Sequence, residues 1–518
     1  MKRNILSVAV VLGMASLGAH AQEQETAAPG GQQEQVQATT LDGITVTARR
    51  RAESIQDVPV AVTAFGEDQL RDMQAHDIGG LQGAVPNLNI VPGRGSSNTV
   101  NVFIRGIGQP DSLQTFDPGV GMYVDDVYYS RINGALFSLF DVQQIEVLRG
   151  PQGTLYGKNS TGGAIKVNTK NPFDDQGAAV EFGVGSFGRM DGRAYLGEQL
   201  SDTAAFSLAG AWLTSDGYVD DPVTGEEYNG EDTIALRGKL ALQPTDTFSA
   251  TLSADYTRQD NALTLGHPTA PLIRTDLAFG PVILHPGNED YDFEARTSFR
   301  PDQGQEMTHK GVSANLQWEL DPQWSLKSIS AWRKLDTSSF IDIDASEWEL
   351  GDVLVEVDQE QFSQELQLQY DNGGNVQAIF GAYYMNETLP SYQEAYASDF
   401  FGFAGAPIDF LRTIEDDLET TSMAAFGHVN WEFAPTWTLA AGLRYSRDEK
   451  DYWRTTSTFW GPLFAAINET VAFSGKQSWD AWTPSVSLQK AFSDNVMGYV
   501  SANRGFKSGG FNGRANSA

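Results

Sequence analysis

The long C-terminal part of this chain alternates apolar and polar residues with a period of two. The alternation is strict in segments such as 248–256, 312–320 and 437–445. In an extended strand this period puts the apolar side chains on one face and the polar side chains on the other. About thirteen such segments lie between residues 178 and 504, and each has roughly the 9–11 residues that a tilted membrane-spanning strand requires. The pattern therefore predicts a large β-sheet with one apolar face.

Short and long links alternate between these segments. Short links lie at 200–203, 243–246, 321–322, 371–374, 434–436 and 493–494. Long links lie at about 214–232, 258–309, 336–359, 388–420 and 447–479, and one link, near 187–190, is short where the alternation requires a long one. An outer-membrane barrel has tight periplasmic turns and long extracellular loops, whereas nothing lengthens the loops of a soluble sandwich at one end only. The links favour a transmembrane antiparallel β-barrel.

The first residues have the three parts of a secretory signal peptide. A basic start at 1–3 precedes an apolar run at 5–19, and Ala19-His20-Ala21 matches a cleavage site. The alternative, a membrane anchor, needs about 20 apolar residues, which neither this run nor any later one provides. We predict that residues 1–21 are a signal peptide. A membrane protein exported in this way must span the membrane as a barrel.

Charge and cysteine content exclude several functions. The chain has 67 acidic and 35 basic residues, a formal net charge of −32. A nucleic-acid-binding surface needs clustered Lys and Arg, so nucleic acid is not an expected partner. The absence of Cys removes thiolate nucleophiles and Cys-ligated zinc, and we find no catalytic motif. His267 and His285 in the longest link are weighed as metal ligands, but such loop histidines are more often solvated. We predict no enzyme, no metal site and no cofactor.

Composition divides the rest of the chain. Residues 22–41 are rich in Gln, Glu, Ala, Gly and Thr, which predicts a flexible N-terminal arm. Residues 42–51 form a short β-prone island. Residues 52–170 are Gly-rich and mixed in pattern, which predicts a small α+β domain. Residues 171–518 carry the alternating strands.

Three stretches of the middle segment carry the most specific motifs. They read FIRGIG at 103–108, IEVLRGPQGTLYG at 145–157 and STGGAIKV at 160–167. In them the sequence strongly resembles the plug domain of TonB-dependent outer-membrane receptors, and the resemblance runs from Asp42 to the end of the chain. It implies that residues 52–170 sit in the lumen of a barrel formed by 171–518. The motif positions are Gly106, Gly150, Pro151, Gly153, Gly157, Gly162 and Gly163.

The resemblance also identifies the 42–51 island as the TonB box region. The segment expected to bind the periplasmic protein TonB is Ile44, Thr45, Val46, Thr47 and Ala48. An exposed strand in a flexible arm can add to the edge of a partner's sheet through main-chain hydrogen bonds. The alternative is an inert linker.

Two plug arginines are expected to hold the plug in the barrel. By resemblance Arg105 and Arg149, each followed by Gly, pair with barrel carboxylates. Glu365, on the polar face of its strand, is the candidate partner, and bidentate Arg–carboxylate pairs give a fixed geometry. The alternative is that both arginines neutralise acids within the plug, such as Asp141 or Glu146.

The ligand is expected to meet the plug apex and the long loops. The candidate contacts are Arg94, Ser96, Asn98 and Gln109, in segments that are predicted to point outward. Arg94 is the one cation in its turn, which suits an anionic ligand. An ordinary surface turn is the alternative.

These features predict TonB-dependent active transport across the bacterial outer membrane. By resemblance the ligand is a ferric siderophore or another iron complex, and the other partners are TonB and outer-membrane lipid. Haem, a corrinoid or a glycan are alternative ligands. The about 13–14 strands fall short of the roughly 22 of plugged transporters, so the C-terminal part of the barrel is expected to be missing. Two further alternatives are a truncated, non-functional fragment and a soluble β-rich binding protein.

Overall fold

The computed structural model of this protein describes residues 44–93, 96–111, 113–134, 140–276, 280–403, 409–461, 469–493 and 496–514. Several predicted features lie outside the described residues. They are the signal peptide (1–21), the flexible arm (22–41), the first two residues of the TonB box region (42–43) and Arg94.

The middle segment folds as the predicted α+β domain, which we call the plug (residues 52–170). The strands of the plug and of the segment before it are β1 (Thr45–Val46), β2 (Glu53–Ser54), β3 (Val62–Gly66), β4 (Leu88–Pro92), β5 (Val100–Ile104), β6 (Ile107–Gly108), β7 (Val120–Val124), β8 (Val127–Tyr129), β9 (Val142–Arg149) and β10 (Gly163–Thr169). Helix α1 (Glu67–Asp72) and the 3-10 turn Ile78–Leu81 follow β3.

A five-stranded sheet in the order β3-β9-β10-β7-β8 forms the centre of the plug. β10 and β7 pair in parallel, and the other pairs are antiparallel. Apolar side chains on the sheet, among them Met122, Ile145 and Ile165, are at most 1% exposed. Each such side chain contributes about 1.5–3 kcal/mol to folding, so the sheet gives the plug a core of its own.

The C-terminal segment forms one antiparallel sheet of thirteen strands, which we call the wall. The strands of this segment are β11 (Gly177–Val184), β12 (Met190–Ser201), β13 (Ala204–Ser215), β14 (Val219–Asp220), β15 (Glu227–Tyr228), β16 (Glu231–Thr245), β17 (Phe248–Asn261), β18 (Leu272–Asp276), β19 (Gly280–His285), β20 (Gln305–Glu319), β21 (Trp324–Ile341), β22 (Asp352–Asp371), β23 (Val376–Tyr396), β24 (Phe410–Ala434), β25 (Trp437–Trp460), β26 (Glu469–Ser493) and β27 (Val496–Asn503). β14 with β15, and β18 with β19, form small hairpins in long links, and helix α2 (Ser398–Phe403) follows β23. The other thirteen strands make the wall and pair in chain order.

The two faces of the wall differ as the period of two predicts. Val312, Trp318 and Trp482 point away from the plug and are 50%, 52% and 54% exposed. On the opposite face Gln367 and Lys450 are fully buried. The apolar face is therefore the one left for lipid, and the polar face is the one that receives the plug.

The plug contacts nine neighbouring wall strands, from β16 to β26 in the order of the sheet. The contacts, one for each strand, are Asp141–Arg237, Ser97–Asn261, Ser97–Gln305, Tyr129–Arg333, Tyr128–Gln361, Arg131–Glu387, Gln114–Asp416, Asp117–Lys450 and Thr154–Thr483. The plug therefore contacts the polar face of nine of the thirteen wall strands.

The wall strands are longer than predicted. β24 and β26 each have 25 residues, against the 9–11 that cross a membrane. The extensions continue as hydrogen-bonded ladders, but their outward residues, such as Glu356, Asp358 and Glu360, are charged and exposed. The apolar alternation therefore ends before the strand does, and the long loops are correspondingly shorter than predicted. No helix in the described part of the chain is long and apolar enough to cross a membrane.

Candidate functional site

The predicted TonB-binding segment is docked on the plug. Thr45 and Val46 form β1, which pairs with β2 eight residues further along the chain. Val46 and Ala48 are 0% and 1% exposed, and Ile44 packs beside them against the same apolar cluster. The prediction of an exposed strand in a flexible arm is therefore wrong for residues 44–48 in this structure. An extended apolar segment next to a folded domain lowers its free energy by burying its side chains.

Polar contacts complete this docking. The backbone N–H of Thr47 donates to Glu146 Oε1 at 2.8 Å, and Tyr156 donates from its hydroxyl to the Ala48 carbonyl at 2.9 Å. Gln144 Nε2 donates to the Thr45 carbonyl at 2.9 Å. Because these bonds use main-chain groups of the segment, a partner strand that captures the same groups competes with the plug for them.

Arg49 and Arg50, directly after this segment, reach the wall. Arg50 lies 2.8 Å from Asp126 in the plug and 3.8 Å from Glu365 on β22. Its guanidinium also lies over the Tyr156 ring, 4.6 Å from the centroid. Arg49 donates to Asn430 on β24 at 2.9 Å. The chain that follows residues 44–48 therefore contacts both the plug and the wall.

Asp126 is the centre of a buried ion cluster. Besides Arg50, its carboxylate lies 3.3 Å from Lys166 in the plug and 2.9 Å from Lys327 on β21. Burial opposes the ionisation of Asp126, but Lys166, Lys327 and Arg50 outweigh it and hold the pKa of this carboxyl well below its usual range. We call Arg50, Asp126, Lys166, Lys327 and Glu365 the anchor cluster.

The structure corrects the predicted pairing of Arg105 and Arg149 with Glu365. Glu365 faces Arg50 instead. Arg105 is exposed with a φ of 53°, and Arg149 donates to the Pro86 carbonyl at 3.5 Å. Among the described residues neither arginine forms an ion pair, whether with Glu365 or with the two acids weighed within the plug. β9, which ends at Arg149, is an inner strand of the plug sheet, between β3 and β10. Its pairing within that sheet therefore does not bring Arg149 to the wall.

A double-mutant cycle tests this reassignment. For Arg50→Ala combined with Glu365→Ala we expect a coupling energy of about 1–3 kcal/mol, since contacting residues in one network couple by that amount. The free energy of unfolding in urea is the measurement. The matched cycle of Arg149→Ala with Glu365→Ala should show coupling near zero. If Glu365 couples more strongly to Arg149 than to Arg50, the pairing of Arg149 with Glu365 that the sequence predicted would be correct after all.

The plug-motif residues shape the turns that face the wall. Gly106 lies between β5 and β6, and Gly150, Pro151, Gly153, Gly157 and Gly162 lie between β9 and β10. Gly157 has a φ of 85°, and a Cβ there would lie 2.6 Å from the Arg444 guanidinium of β25. Gly163 begins β10, and a Cβ there would lie 2.1 Å from the Leu148 carbonyl oxygen. Both positions need Gly because a side chain would collide with neighbouring groups.

The predicted ligand contacts at the plug apex are engaged within the protein. Ser96 and Asn98 are 5% and 2% exposed and bond to each other at 3.2 Å. Gln109, also buried, accepts from Lys507 Nζ at 2.7 Å. The expectation that these three side chains point outward is wrong in this structure. Their segment instead joins the plug to the wall, because Ser97 receives a bond from Asn261.

Sequence reasoning missed the ion pairs that join the apex to the wall. Arg131 pairs with Glu387 on β23, and its other nitrogen lies 3.5 Å from Asp117. Lys450 on β25 lies 2.8 Å from Asp117. Burial opposes ionisation of Asp117, but Lys450 and other nearby cations prevail and lower its pKa. The alternating polar residues of each wall strand indicate in the sequence which positions face inward. They do not indicate which plug residue each of these positions contacts.

Two family models match the chain. The TonB-dependent receptor plug domain matches residues 54–164. The TonB-dependent receptor-like β-barrel matches residues 239–518, which is more than half of the chain. The first match falls on the plug and the second on the wall.

Individual proteins agree with these models. The pesticin receptor of Yersinia pestis is 23% identical over 500 residues, which cover 91% of this chain and 67% of the receptor. The vitamin B12 transporter BtuB of Vibrio vulnificus is 26% identical over 221 residues, 42% of this chain and 35% of the transporter. The crystal structure of the ferric yersiniabactin uptake receptor FyuA from Yersinia pestis superposes with a TM-score of 0.72 at 21% identity, covering 89% of this chain and 66% of that chain.

The chain spans about two thirds of the length of the pesticin receptor and of FyuA. Within that span it has the fold of these receptors, a plug with a β-barrel wall, and not the fold of an enzyme. The family models and the arrangement of plug and wall together show that this chain belongs to the TonB-dependent receptors of the bacterial outer membrane.

Proposed function

We propose that this protein is a TonB-dependent transporter that admits a scarce ligand when TonB pulls on the docked segment 44–48. The observation that supports this proposal is that the segment continues directly into Arg49 and Arg50, whose side chains contact the wall. A force applied to the segment reaches Arg49 and its bond to Asn430 first, and then the anchor cluster through Arg50. The cluster is made of ion pairs and hydrogen bonds, which can exchange partners without exposing an apolar core.

We propose a ferric siderophore or a similar iron complex as the ligand. FyuA, which shares the fold, is a ferric yersiniabactin uptake receptor. The aromatic pair Tyr452 and Phe511, stacked with centroids 5.1 Å apart, does not add to this support, because Tyr452 is 1% exposed and its hydroxyl donates to Asp416.

A corrinoid is the second candidate, and the partial match to a vitamin B12 transporter favours it. Uptake assays separate the two. A strain that carries the complete gene should accumulate radio-iron from at least one ferric siderophore under iron limitation, and a strain without the gene or without TonB should not. Labelled cyanocobalamin is the parallel substrate. Accumulation of cyanocobalamin alone would support the second candidate, and TonB-independent accumulation of every substrate would contradict the transporter proposal.

A further inference from the structure

Three aspartates converge in the loop that joins β21 to β22. They are Asp342 and Asp344 in the loop and Asp352 at its end. One carboxylate oxygen from each lies within 4.8 Å of the others. This loop is on the side of the wall opposite the tight turns, so it belongs to the extracellular set of a barrel of this kind.

The three carboxylates are held in place by the loop. Asp342 and Asp352 are 9% and 0% exposed. Asp352 accepts from the Ile343 N–H at 3.0 Å and from the Ser298 hydroxyl at 2.6 Å. Asp342 Oδ1 accepts from the Asp344 N–H at 3.1 Å. These bonds fix the aspartates but leave their charges uncompensated.

One oxygen of the cluster has no donor in good hydrogen-bond geometry. Asp342 Oδ2 is buried and receives no such bond, although the Thr297 hydroxyl lies near the Asp342 carboxyl group. Among the described residues no Lys or Arg forms an ion pair with any of the three aspartates, and the nearby Arg296 pairs with Glu347 at 2.8 Å. A buried carboxylate oxygen without a donor destabilises the fold. This orphaned oxygen, separate from the proximity of the three charges, indicates that a cation belongs in the cluster.

We propose that Asp342, Asp344 and Asp352 bind a calcium ion. Carboxylate, hydroxyl and carbonyl oxygens are the ligands that Ca²⁺ takes, in flexible geometry with 6–8 oxygens. The serine that follows two residues after Asp344, Ser346, is fully buried and donates to Asp344, so its hydroxyl is close by. His and Cys, which transition metals prefer, do not belong to the cluster.

The ion would join two links of the wall. Ser298, in the link before β20, donates to Asp352 of the cluster. Calcium at the cluster therefore fixes the loop between β21 and β22 against the link before β20. We infer that calcium orders this part of the extracellular mouth.

Terbium luminescence tests the site on the protein purified from membranes in detergent after treatment with a chelator. Trp348, four residues after Asp344, is positioned in sequence to sensitise bound Tb³⁺. We expect a saturable signal that Ca²⁺ displaces, and at least a tenfold loss of affinity in Asp342→Asn and Asp352→Asn. The control is Asp358→Asn, an exposed aspartate that pairs with Lys334, and its affinity should be unchanged.

A second readout does not depend on the variants. Calcium should slow proteolysis within 342–351 of the unaltered protein, and a chelator should reverse this protection. A wild-type protein without a calcium-displaceable signal would overturn the proposal. Equal affinity in folded Asp342→Asn, or protection that calcium does not change, would also overturn it.

Discussion

Replacing Val46 by Pro should abolish energised uptake and leave ligand binding at the cell surface intact. Proline lacks the N–H that a strand donates to a partner's sheet edge and cannot extend a strand ladder. Strand addition relies on those main-chain bonds. Uptake should fall to the level of a strain without TonB, while ligand binding to de-energised cells, which depends on the opposite end of the protein, stays within twofold of the wild type.

The matched control is Val46→Thr, which keeps the N–H and the β-branched shape. Its uptake should remain close to wild type, although Val46 is fully buried in the docked state. Binding of a purified TonB C-terminal domain provides the direct measurement and should be lost only in the proline variant. Normal uptake by Val46→Pro would remove residues 44–48 from the coupling mechanism.

Replacing Asp126 by Ala should destabilise the plug by about 3–5 kcal/mol, because it leaves buried cations without their partner. Arg50, Lys166 and Lys327 all lie within 3.3 Å of this carboxylate, which is 15% exposed. The midpoint of urea unfolding and its slope give the free energy of unfolding. Since the folded-state pKa of Asp126 is lowered, this contribution is present at neutral pH and is lost only as the pH falls below the usual range of an aspartate.

The control for this prediction is Asp358→Ala on the outer face of the wall. Asp358 pairs with Lys334 at 3.1 Å but is 52% exposed, and exposed pairs contribute about 0–1 kcal/mol. A loss for Asp126→Ala no larger than the loss for Asp358→Ala would show that the anchor cluster does not hold the plug.

The large sheet could be predicted because the alternation of apolar and polar residues is a local pattern in the sequence. The thirteen wall strands between Gly177 and Asn503 agree with the number of alternating segments. Strand ends were not predictable in the same way. β22 starts at Asp352, but its outward residues Glu356, Asp358 and Glu360 are charged, so the outward apolar alternation begins only near Phe362.

Contacts between distant residues explain the remaining errors. The TonB-binding role of residues 44–48 stays a prediction, and the burial of this segment could not be read from the sequence because it involves Glu146, 99 residues away from Thr47. The pairing of Glu365 was assigned to Arg149 from a family motif, whereas the basic run 49–51 next to the box supplies the partner. The aspartate cluster was missed because Asp352 joins Asp342 and Asp344 only when two long strands pair in register.

The central claim is that the plug sits against the polar face of the wall, and thiol cross-linking in intact outer membranes tests it most directly. The chain has no Cys, so any cross-link comes from the introduced pair. Thr154 in the plug donates to the Thr483 carbonyl of β26 at 2.8 Å, and Thr154→Cys with Thr483→Cys changes neither residue much in size. The positive control is Ser253→Cys with Ser313→Cys, opposite each other on β17 and β20. We expect a short thiol-reactive reagent to join both pairs. A cross-link in the control pair but none between residues 154 and 483 would mean that plug and wall are separate bodies, which contradicts the account.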